Sequence, residues 1–194
     1  MNKRFRGFLP IVVDIETAGF NYTKDAVLEI ASVFLDIDEN GKLFPTETHA
    51  YHIIPFEGAN LDREALEFTG IDPYHPFRFA INEKEALEKT FEAIEAAIKK
   101  HHCQRAVLVG HNPTFDLSFL QAAIKRTKTT SPFHKFTTFD TATLGGIVFG
   151  QTVLAKACKA ADIPFDAKEA HSAIYDAKRT ADLFCQIANL HASK

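Results

Sequence analysis

Two carboxylates stand one residue apart in the stretch VVDIETAGF, where Asp14 and Glu16 follow the apolar run from Leu9 to Val13. Alternate side chains of a β-strand share a face, so both carboxylates project together on the side opposite Val13 and Ile15. Like charges held this close repel each other unless a cation lies between them. Acids that only flank a turn at a strand end are the ordinary alternative, so the pair alone is weak evidence for a metal site.

A third carboxylate, Asp116, lies in the segment HNPTFD, directly after the short apolar stretch AVLVG. With Asn112 as the cap and Pro113 in the first helical position, a helix is predicted to begin here and to continue to about Arg126. Asp116 then falls in the first turn, where the helix dipole favours a carboxylate. A charge that merely stabilises the helix is the common alternative.

The last candidate segment, HSAIYD, holds His171 and Asp176 five residues apart. Five residues on a continuous helix turn about 140° past each other, so the two side chains would not share a helical face. We therefore predict that His171 lies just before the helix, that Ser172 caps it, and that Asp176 points inward from its first turn. In the alternative interpretation His171 is a surface residue and Asp176 forms an i,i+3 pair with Arg179.

Together these segments supply four acids and one histidine without a nearby cysteine. Carboxylate oxygens suit hard cations such as Mg²⁺ or Mn²⁺ better than zinc. Two such ions, about 3.5–4 Å apart, can hold a phosphodiester, activate a water molecule and stabilise the leaving oxygen. An imidazole with an unperturbed pKa of about 6.5 could accept the proton of the attacking water. This combination favours metal-dependent phosphodiester hydrolysis, with the following residues at the site: Asp14, Glu16, Asp116, Asp176 and His171.

The elements that must position these groups show a change of hydrophobic period, because alternating and β-branched runs come first and helical periods follow. The predicted strands cover residues 11–16, 27–37 before the Asn40-Gly41 turn, 48–54, 106–110 and 137–139. The predicted helices cover residues 83–100, 112–126, a segment capped by Asp140, 152–161 and 172–190. Three consecutive strands with short connections favour an antiparallel meander. The whole order predicts an α/β fold, a mixed sheet flanked by helices, with residues 1–194 as a single domain.

Length and composition fit an ordinary globular domain, since 46% of the 194 residues are hydrophobic and 24% are charged. No apolar run approaches the roughly 20 residues that a membrane span needs, and Asp14 cuts short the apolar stretch behind the basic N-terminus, so we predict neither a span nor a secretion signal. Cys103, Cys158 and Cys185 show no CxxC spacing, which argues against a disulfide framework and a zinc cluster. A reducing, cytoplasmic setting fits best.

The formal net charge of −3 conceals two segments of opposite sign. Residues 57–95 contain ten acidic and four basic residues, a net charge of −6, whereas residues 99–135 contain seven basic residues and one acid, a net charge of +6. Solvated helix ends and loops are the common explanation of such runs. A phosphate-binding surface on an otherwise acidic protein is the functional one.

The motifs DIET, HNPTFD and HSAIYD, in this order, resemble the three exonuclease motifs of the DEDDh 3′-to-5′ exonucleases, a family with a ribonuclease H-like fold. The stretches RFRGF, EALEFTGIDP, PFHKFTTFDTATL and GQTVLAKAC also resemble RNA-trimming members of that family, so the similarity covers nearly the whole chain. The resemblance implies a homodimeric, Mg²⁺-dependent exoribonuclease with two ions per active site and Mn²⁺ as a substitute. Its substrates would be the single-stranded 3′ ends of transfer RNA and other stable RNAs, and also single-stranded DNA.

The resemblance also implies roles for individual residues. The metal ligands would be Asp14, Glu16, Asp116 and Asp176, and His171 would be the general base. The terminal bases would stack on four phenylalanine rings beside a base-contacting glutamate: Phe20, Phe68, Phe115, Phe136 and Glu64. A basic strip away from the metal site would hold an RNA duplex while the partner subunit cuts its 3′ tail: Arg4, Arg6, Lys99, Arg105 and Lys128. Core packing is the default alternative for any one of the 18 phenylalanines.

Three other functions compete with an exoribonuclease. A proofreading exonuclease of DNA replication would share the five catalytic residues but would not need RFRGF or the basic strip. A nucleic-acid-binding module without catalysis would be expected to lack at least one of the five, and none is replaced. A phosphatase of small phosphate esters would not require the basic segment 99–135.

Overall fold

Five strands form one mixed sheet in the computed structural model, which describes residues 1–190. The strands are β1 Phe8–Thr17, β2 Val27–Ile37, β3 Leu43–His52, β4 Arg105–Gly110 and β5 Phe133–Asp140. Their order in the sheet is β3-β2-β1-β4-β5. The pairs β1–β2 and β2–β3 are antiparallel, and β1–β4 and β4–β5 are parallel. The predicted meander and the mixed sheet are therefore confirmed.

Helices cover both faces of this sheet. They are α1 Arg63–Thr69, α2 Glu83–Lys100, α3 Thr114–Thr127, α4 Thr141–Phe149, α5 Leu154–Ala160 and α6 Ala173–Leu190, with a short 3₁₀ helix at Pro76–Arg78. Within residues 1–190 no helix is both long and apolar enough to cross a membrane. The α/β class predicted from the sequence is confirmed.

Strand β1 divides its side chains between two hydrophobic clusters. Val13 and Ile15 pack into the cluster formed with α2 and α3, whereas Val12 packs into the cluster formed with α6. Because side chains alternate along a strand, Asp14 and Glu16 continue the Val12 series and face α6. The helix that carries Asp176 therefore lies over the face that carries the first two acids.

Most predicted bounds agree with the structure to within a few residues. Helix α2 covers the predicted residues 83–100, and the side chain of Asn82 accepts the N–H of Glu85 at 2.9 Å, as its capping-box spacing suggested. Asp140 caps α4 by accepting the N–H of Ala142 at 2.9 Å. Helix α6 begins one residue after the predicted Ser172.

Four local predictions were wrong, and one helix was missed. Strand β3 covers Leu43–His52 rather than 48–54, because its pairing with β2 begins at Leu43. Asn112 does not cap α3: its backbone has φ +63°, and its N–H donates to Oδ1 of Asp140 at 3.0 Å, so α3 begins at Thr114 without a side-chain cap. Helix α5 begins at Leu154 rather than Thr152, whose carbonyl accepts from Nε2 of His111 at 2.8 Å. Strand β5 begins four residues before the predicted start because it pairs with β4 from Ala106 onward. Helix α1 was not predicted.

Candidate active site

Asp14 and Glu16 lie at the carboxyl end of β1, and α6 brings Asp176 to the same place. One carboxylate oxygen from each of these three residues lies within 4.8 Å of the others. Asp176 is in the first turn of α6, where its backbone N–H donates to the Ser172 carbonyl at 2.9 Å. The i,i+3 pair of the alternative interpretation does not form, because Arg179 pairs with Asp182 at 2.9 Å.

Asp116 approaches the same strand from the other side. It is in the first turn of α3, is only 5% exposed, and its Oδ1 accepts the backbone N–H of Ile15 at 3.1 Å. Ile15 stands between Asp14 and Glu16, so this hydrogen bond fixes Asp116 next to both acids. Its carboxylate is not among the three whose oxygens all lie within 4.8 Å of one another, but its charge raises the pKa of both Asp14 and Glu16.

The electrostatics of the cluster disfavour four ionised acids. Burial raises the pKa of Glu16 from 4.5 to about 8, helped by the charges of Asp176 and Glu29. Burial also raises the pKa of Asp116 to about 7, against the backbone N–H groups that its carboxylate accepts. The pKa of Asp14 lies well above its usual range because of burial first and the charge of Asp116 second. A bound cation would favour the ionised form of each acid.

A divalent cation fits the residues that are present. The donors are all carboxylate oxygens, which hard cations prefer. Within residues 1–190, Oδ1 of Asp176 is buried without a hydrogen-bond partner, although buried polar atoms are normally paired. None of the ion pairs formed in the described part of the chain involves the four acids, so the chain itself supplies no lysine or arginine to neutralise them.

His171 lies at the edge of the cluster, two residues before α6. Its backbone has φ +68°, a left-handed conformation that is uncommon for a residue with a side chain. Its N–H donates to Oδ2 of Asp176 at 3.0 Å, which holds the residue beside the acids. The exposed imidazole lies against the ring of Phe68, with 4.3 Å between ring centroids.

An aromatic pocket of about 670 Å³ opens beside Glu16. It is lined by three of the predicted stacking rings, Phe20, Phe68 and Phe115, and by Glu64. Phe20 is 86% exposed and Phe68 is 68% exposed, so the core-packing alternative is excluded for these two rings. The structure thus brings three rings and the predicted base-contacting glutamate to one pocket next to the acids.

Phe136 is not part of this pocket. It is 79% exposed and lies on β5 beside His134, with 4.7 Å between ring centroids. It lines a separate groove of about 460 Å³ between α3 and β5, together with Lys125 and Lys135. The sequence gave no indication that Phe136 would lie apart from the other three rings.

The turn that carries Phe20 is held by a buried carboxylate. Asp25 is 4% exposed; its Oδ2 accepts the N–H of Asn21 at 2.7 Å and its Oδ1 accepts from the side chain of Asn60 at 2.7 Å. Gly19, with φ +150°, lies so close to Asp25 that a Cβ atom there would overlap the carboxylate. The absence of a side chain at Gly19 is therefore a requirement of this turn.

The predicted basic residues lie at the opposite end of strands β1 and β4 from the acid cluster, which we call the basic edge. Lys99 and Arg105 line a shallow hollow of about 240 Å³ at the amino end of β4, which runs parallel to β1. Arg6 is exposed and lies near this hollow, because the carbonyl of the next residue, Gly7, accepts the N–H of Gln104 at 2.7 Å. Lys128 is exposed at the carboxyl end of α3.

Arg4 differs from the other basic residues. Its guanidinium donates to the backbone carbonyls of Gly41 and Ala188, the latter at 2.7 Å. These hydrogen bonds anchor the N-terminal segment to the β2–β3 turn and to α6. The Arg4 guanidinium is therefore already hydrogen-bonded within the protein, whereas the side chains of Arg6 and Lys128 are exposed to solvent.

Sequence reasoning missed Glu29, which the strand register places directly opposite Glu16. Its Oε1 lies 3.0 Å from Nδ1 of His52, and its Oε2 accepts the N–H of Ala173 at 3.3 Å. The available signal was an acid within the apolar stretch VLEIASV of a buried strand. The motif comparison passed over it because it lies in none of the three motifs.

Two curated proteins resemble this chain over almost its whole length. The chain is 61% identical over 194 residues to Ribonuclease T of Marinobacter nauticus, which covers 97% of this chain and 86% of that protein. It is 58% identical over 191 residues to Ribonuclease T of Vibrio campbellii, with 97% and 89% covered.

Solved structures with a similar fold include E. coli exonuclease I in complex with a dT13 oligonucleotide, with a TM-score of 0.71 at 16% identity over 93% of this chain. A zinc-bound complex of the same enzyme with single-stranded DNA gives a TM-score of 0.73 at 16% identity over 96% of this chain. The chain spans 41% and 42% of those two chains, so the similarity shows the fold. The family model RNase_T, described as Exonuclease, matches residues 11–184. With this match and the two close relatives, the chain belongs to the ribonuclease T family of exonucleases.

Proposed function

We propose that this protein is a 3′-to-5′ exoribonuclease that trims the single-stranded 3′ ends of transfer RNA and other stable RNAs, and that it also acts on single-stranded DNA. The observation that carries the proposal is the cluster of unneutralised acids next to an open aromatic pocket. A phosphodiester needs cations, and the adjacent bases need flat apolar surfaces. The name of the two curated relatives supports RNA as the substrate.

The metal site would hold two Mg²⁺ ions, or Mn²⁺ in their place, with the four clustered acids as ligands: Asp14, Glu16, Asp116 and Asp176. Bound divalent ions would activate the attacking water and stabilise the leaving oxygen. Asp116 keeps one oxygen on the Ile15 N–H, so its contribution is fixed in direction before any ion binds. His171, whose backbone N–H donates to Asp176, would accept the proton of the attacking water.

The aromatic pocket would hold the terminal nucleotides. Stacking on Phe20, Phe68 or Phe115 contributes about 1–3 kcal/mol per base and tolerates any base, because every base has a flat face. Glu64 in the same pocket would accept hydrogen bonds from base edges and so discriminate among them. Phe136, in its own groove, would contact a nucleotide farther from the 3′ end.

A homodimer would explain the position of the basic residues. Phe8, which pairs with Arg105, lies eight residue steps along β1 from Glu16, and at about 3.3 Å per step this is about 26 Å. We propose that Arg6, Lys99, Arg105 and Lys128 of one protomer, with Arg4 supporting them, hold an RNA duplex whose 3′ tail enters the partner's active site. The cytoplasm, where the proposed RNA substrates occur, would be the site of action. Residues 1–194 would act as one exonuclease domain.

The decisive experiment offers the purified protein a transfer RNA with a labelled single-stranded 3′ overhang. We expect stepwise shortening from the 3′ end with Mg²⁺, none with a chelator, and recovery on adding Mg²⁺ or Mn²⁺. A matched single-stranded DNA tests the proofreading alternative, which predicts faster cutting of DNA than of RNA. Shortening from the 5′ end, internal cuts, or activity in the chelator would contradict the proposal.

A further inference from the structure

Glu29 is a carboxylate beside the candidate active site that has no place among the proposed metal ligands. It lies on β2 opposite Glu16 of β1, and its side chain is 14% exposed. An additional negative charge next to two acids is electrostatically unfavourable unless something offsets it. Two groups contact this carboxylate: Nδ1 of His52 lies 3.0 Å from Oε1, and the N-terminus of α6 donates the Ala173 N–H to Oε2 at 3.3 Å.

The N-terminus of α6 is the segment that must be placed accurately. Ala173 is its first residue, Asp176 lies in its first turn, and His171 comes two residues before it. The hydrogen bonds from Asp176 to Ser172 and from His171 to Asp176 fix the shape of this segment. They do not fix where the segment lies relative to β1. Packing of Ala173 and Ala177 against Val12 holds α6 on the sheet, and the hydrogen bond to Glu29 adds a directional contact there, because β2 is paired with β1 at Glu16.

We propose that Glu29 is a positioning residue for the exonuclease reaction: its Oε2 anchors the first N–H of α6 so that Asp176 meets Asp14 and His171 stays at the edge of the site. The inference rests on the proposed function. An error of about 1 Å in the placement of a catalytic group costs on the order of 100-fold in rate. The hydrogen bond acts on placement, so its loss lowers kcat and leaves the affinity for RNA largely unchanged.

The test compares three variants in steady-state hydrolysis of a single-stranded RNA oligonucleotide. Glu29→Ala removes the acceptor and should lower kcat about 10–100-fold with KM within about twofold. Glu29→Gln keeps an acceptor oxygen without the charge and should stay within about threefold of the unaltered protein. Ala173→Pro removes the donor at the first helical position, where the backbone tolerates proline, but Ala173 is 1% exposed, so the ring also crowds the core and the loss should be at least that of Glu29→Ala. Because both changes break the same bond, adding Glu29→Ala to Ala173→Pro should cause no further loss of kcat.

A second readout does not depend on activity. In the metal-free protein, amide hydrogen exchange in the first turn of α6 should be faster in Glu29→Ala and Ala173→Pro than in the unaltered protein. Glu47→Ala is the matched control, because it removes an exposed glutamate of the neighbouring strand β3 and should change neither rate. If Glu29→Ala fails to fold, Glu29→Leu, which fills the space without an acceptor oxygen, replaces it in both measurements.

Several results would overturn the positioning role. They are an unchanged kcat in both Glu29→Ala and Ala173→Pro, an equal loss in Glu29→Gln and Glu29→Ala, a change in KM alone, or additive losses in the double variant. If the unaltered protein does not shorten RNA at all, the proposed function fails instead. The exchange experiment still decides whether Glu29 anchors α6 in that case.

Discussion

Glu83 and the acid cluster at the end of β1 are both carboxylates withdrawn from solvent, yet within residues 1–190 only Glu83 has a cation of the chain beside it. Glu83 is 6% exposed and receives two hydrogen bonds from Arg126, at 2.6 and 2.9 Å. The guanidinium in turn lies 3.8 Å from the ring centroid of Phe56. The acids around Asp14 have no such partner and carry raised pKa values instead.

The difference separates a structural carboxylate from the acids that we propose as metal ligands. Where the protein needs a buried acid for packing, between α2 and α3, it supplies a bidentate arginine, the geometry that compensates burial best. Where it leaves acids unmatched, the missing positive charge has to come from outside. Each of the following changes tests one side of this comparison.

The largest effect is expected from Asp14→Asn. Loss of this carboxylate should reduce hydrolysis by at least about 10,000-fold, equivalent to about 5 kcal/mol of transition-state stabilisation, while RNA is still bound. The metal-free protein should become more stable, because one of the repelling charges has gone. Turnover assays with Mg²⁺ and thermal unfolding in a chelator measure the two effects. Substantial turnover in Asp14→Asn would show that the cluster is not the metal site.

The opposite outcome is expected at the ion pair. Arg126→Met leaves Glu83 buried without its partner and should lower the free energy of unfolding by about 3–5 kcal/mol, with kcat within about twofold at a temperature where the variant is folded. Adding Glu83→Gln should restore part of the stability, since the uncompensated charge is then absent. Denaturant unfolding gives the free energies. A variant that is fully stable but inactive would erase the distinction between the two regions.

The pH dependence of stability should reveal the unmatched acids. The folded-state pKa of Glu16, about 8, and of Asp116, about 7, lie above the values expected in the unfolded chain. The native state therefore binds more protons than the unfolded state, and stability in a chelator should fall by several degrees in Tm between about pH 5 and about pH 8. Saturating Mg²⁺ should remove this decline, and Glu16→Gln should weaken it. A chelated protein that gains stability over that interval would contradict the raised pKa values.

The smallest effect is expected at the basic edge, where the exposed side chains of Arg6 and Lys99 carry positive charges that an RNA phosphate could neutralise. Neutralising Arg6 and Lys99 together should weaken binding to a structured RNA by about tenfold and lower the salt dependence by about one unit for each phosphate that is no longer neutralised. Cutting of a short single strand should change little, because the acids lie at the other end of β1. Arg4→Gln is the informative companion, since its hydrogen bonds to Gly41 and Ala188 predict a loss of stability as well. Equal losses on both RNAs would argue against a separate duplex-binding strip.

Short-range rules accounted for the elements and for much of the site. The alternation of β1 gave the shared face of Asp14 and Glu16, and the capping logic of HSAIYD placed His171 outside α6. What escaped prediction depends on interactions between distant residues. The 3.0 Å hydrogen bond from Asn112 to Asp140 spans 28 positions of the chain, and the one from Ala173 to Glu29 spans 144. Neither leaves a local pattern, so no periodicity could reveal it.

The separation of Phe136 from the other rings has the same origin. In the sequence it is one more phenylalanine near a basic segment, and its groove is created only when β5 pairs with β4 beside α3. The resemblance supplied a role for it but no location. Helix α1 was missed because its seven residues hold less than two turns of periodic signal, although Asp62 caps it and Gly70 ends it.

The close approach of Gly19 to Asp25 limits how the enzyme could be re-engineered. Every substitution at that glycine pushes a β-carbon into the carboxylate of a buried acid and would displace the neighbouring ring of Phe20 from the aromatic pocket. If the pocket binds the terminal nucleotides as we propose, attempts to change its preference should vary the rings and Glu64 and keep Gly19. The backbone of this turn is therefore the invariant part of the pocket, and the side chains around it are the part that can be exchanged.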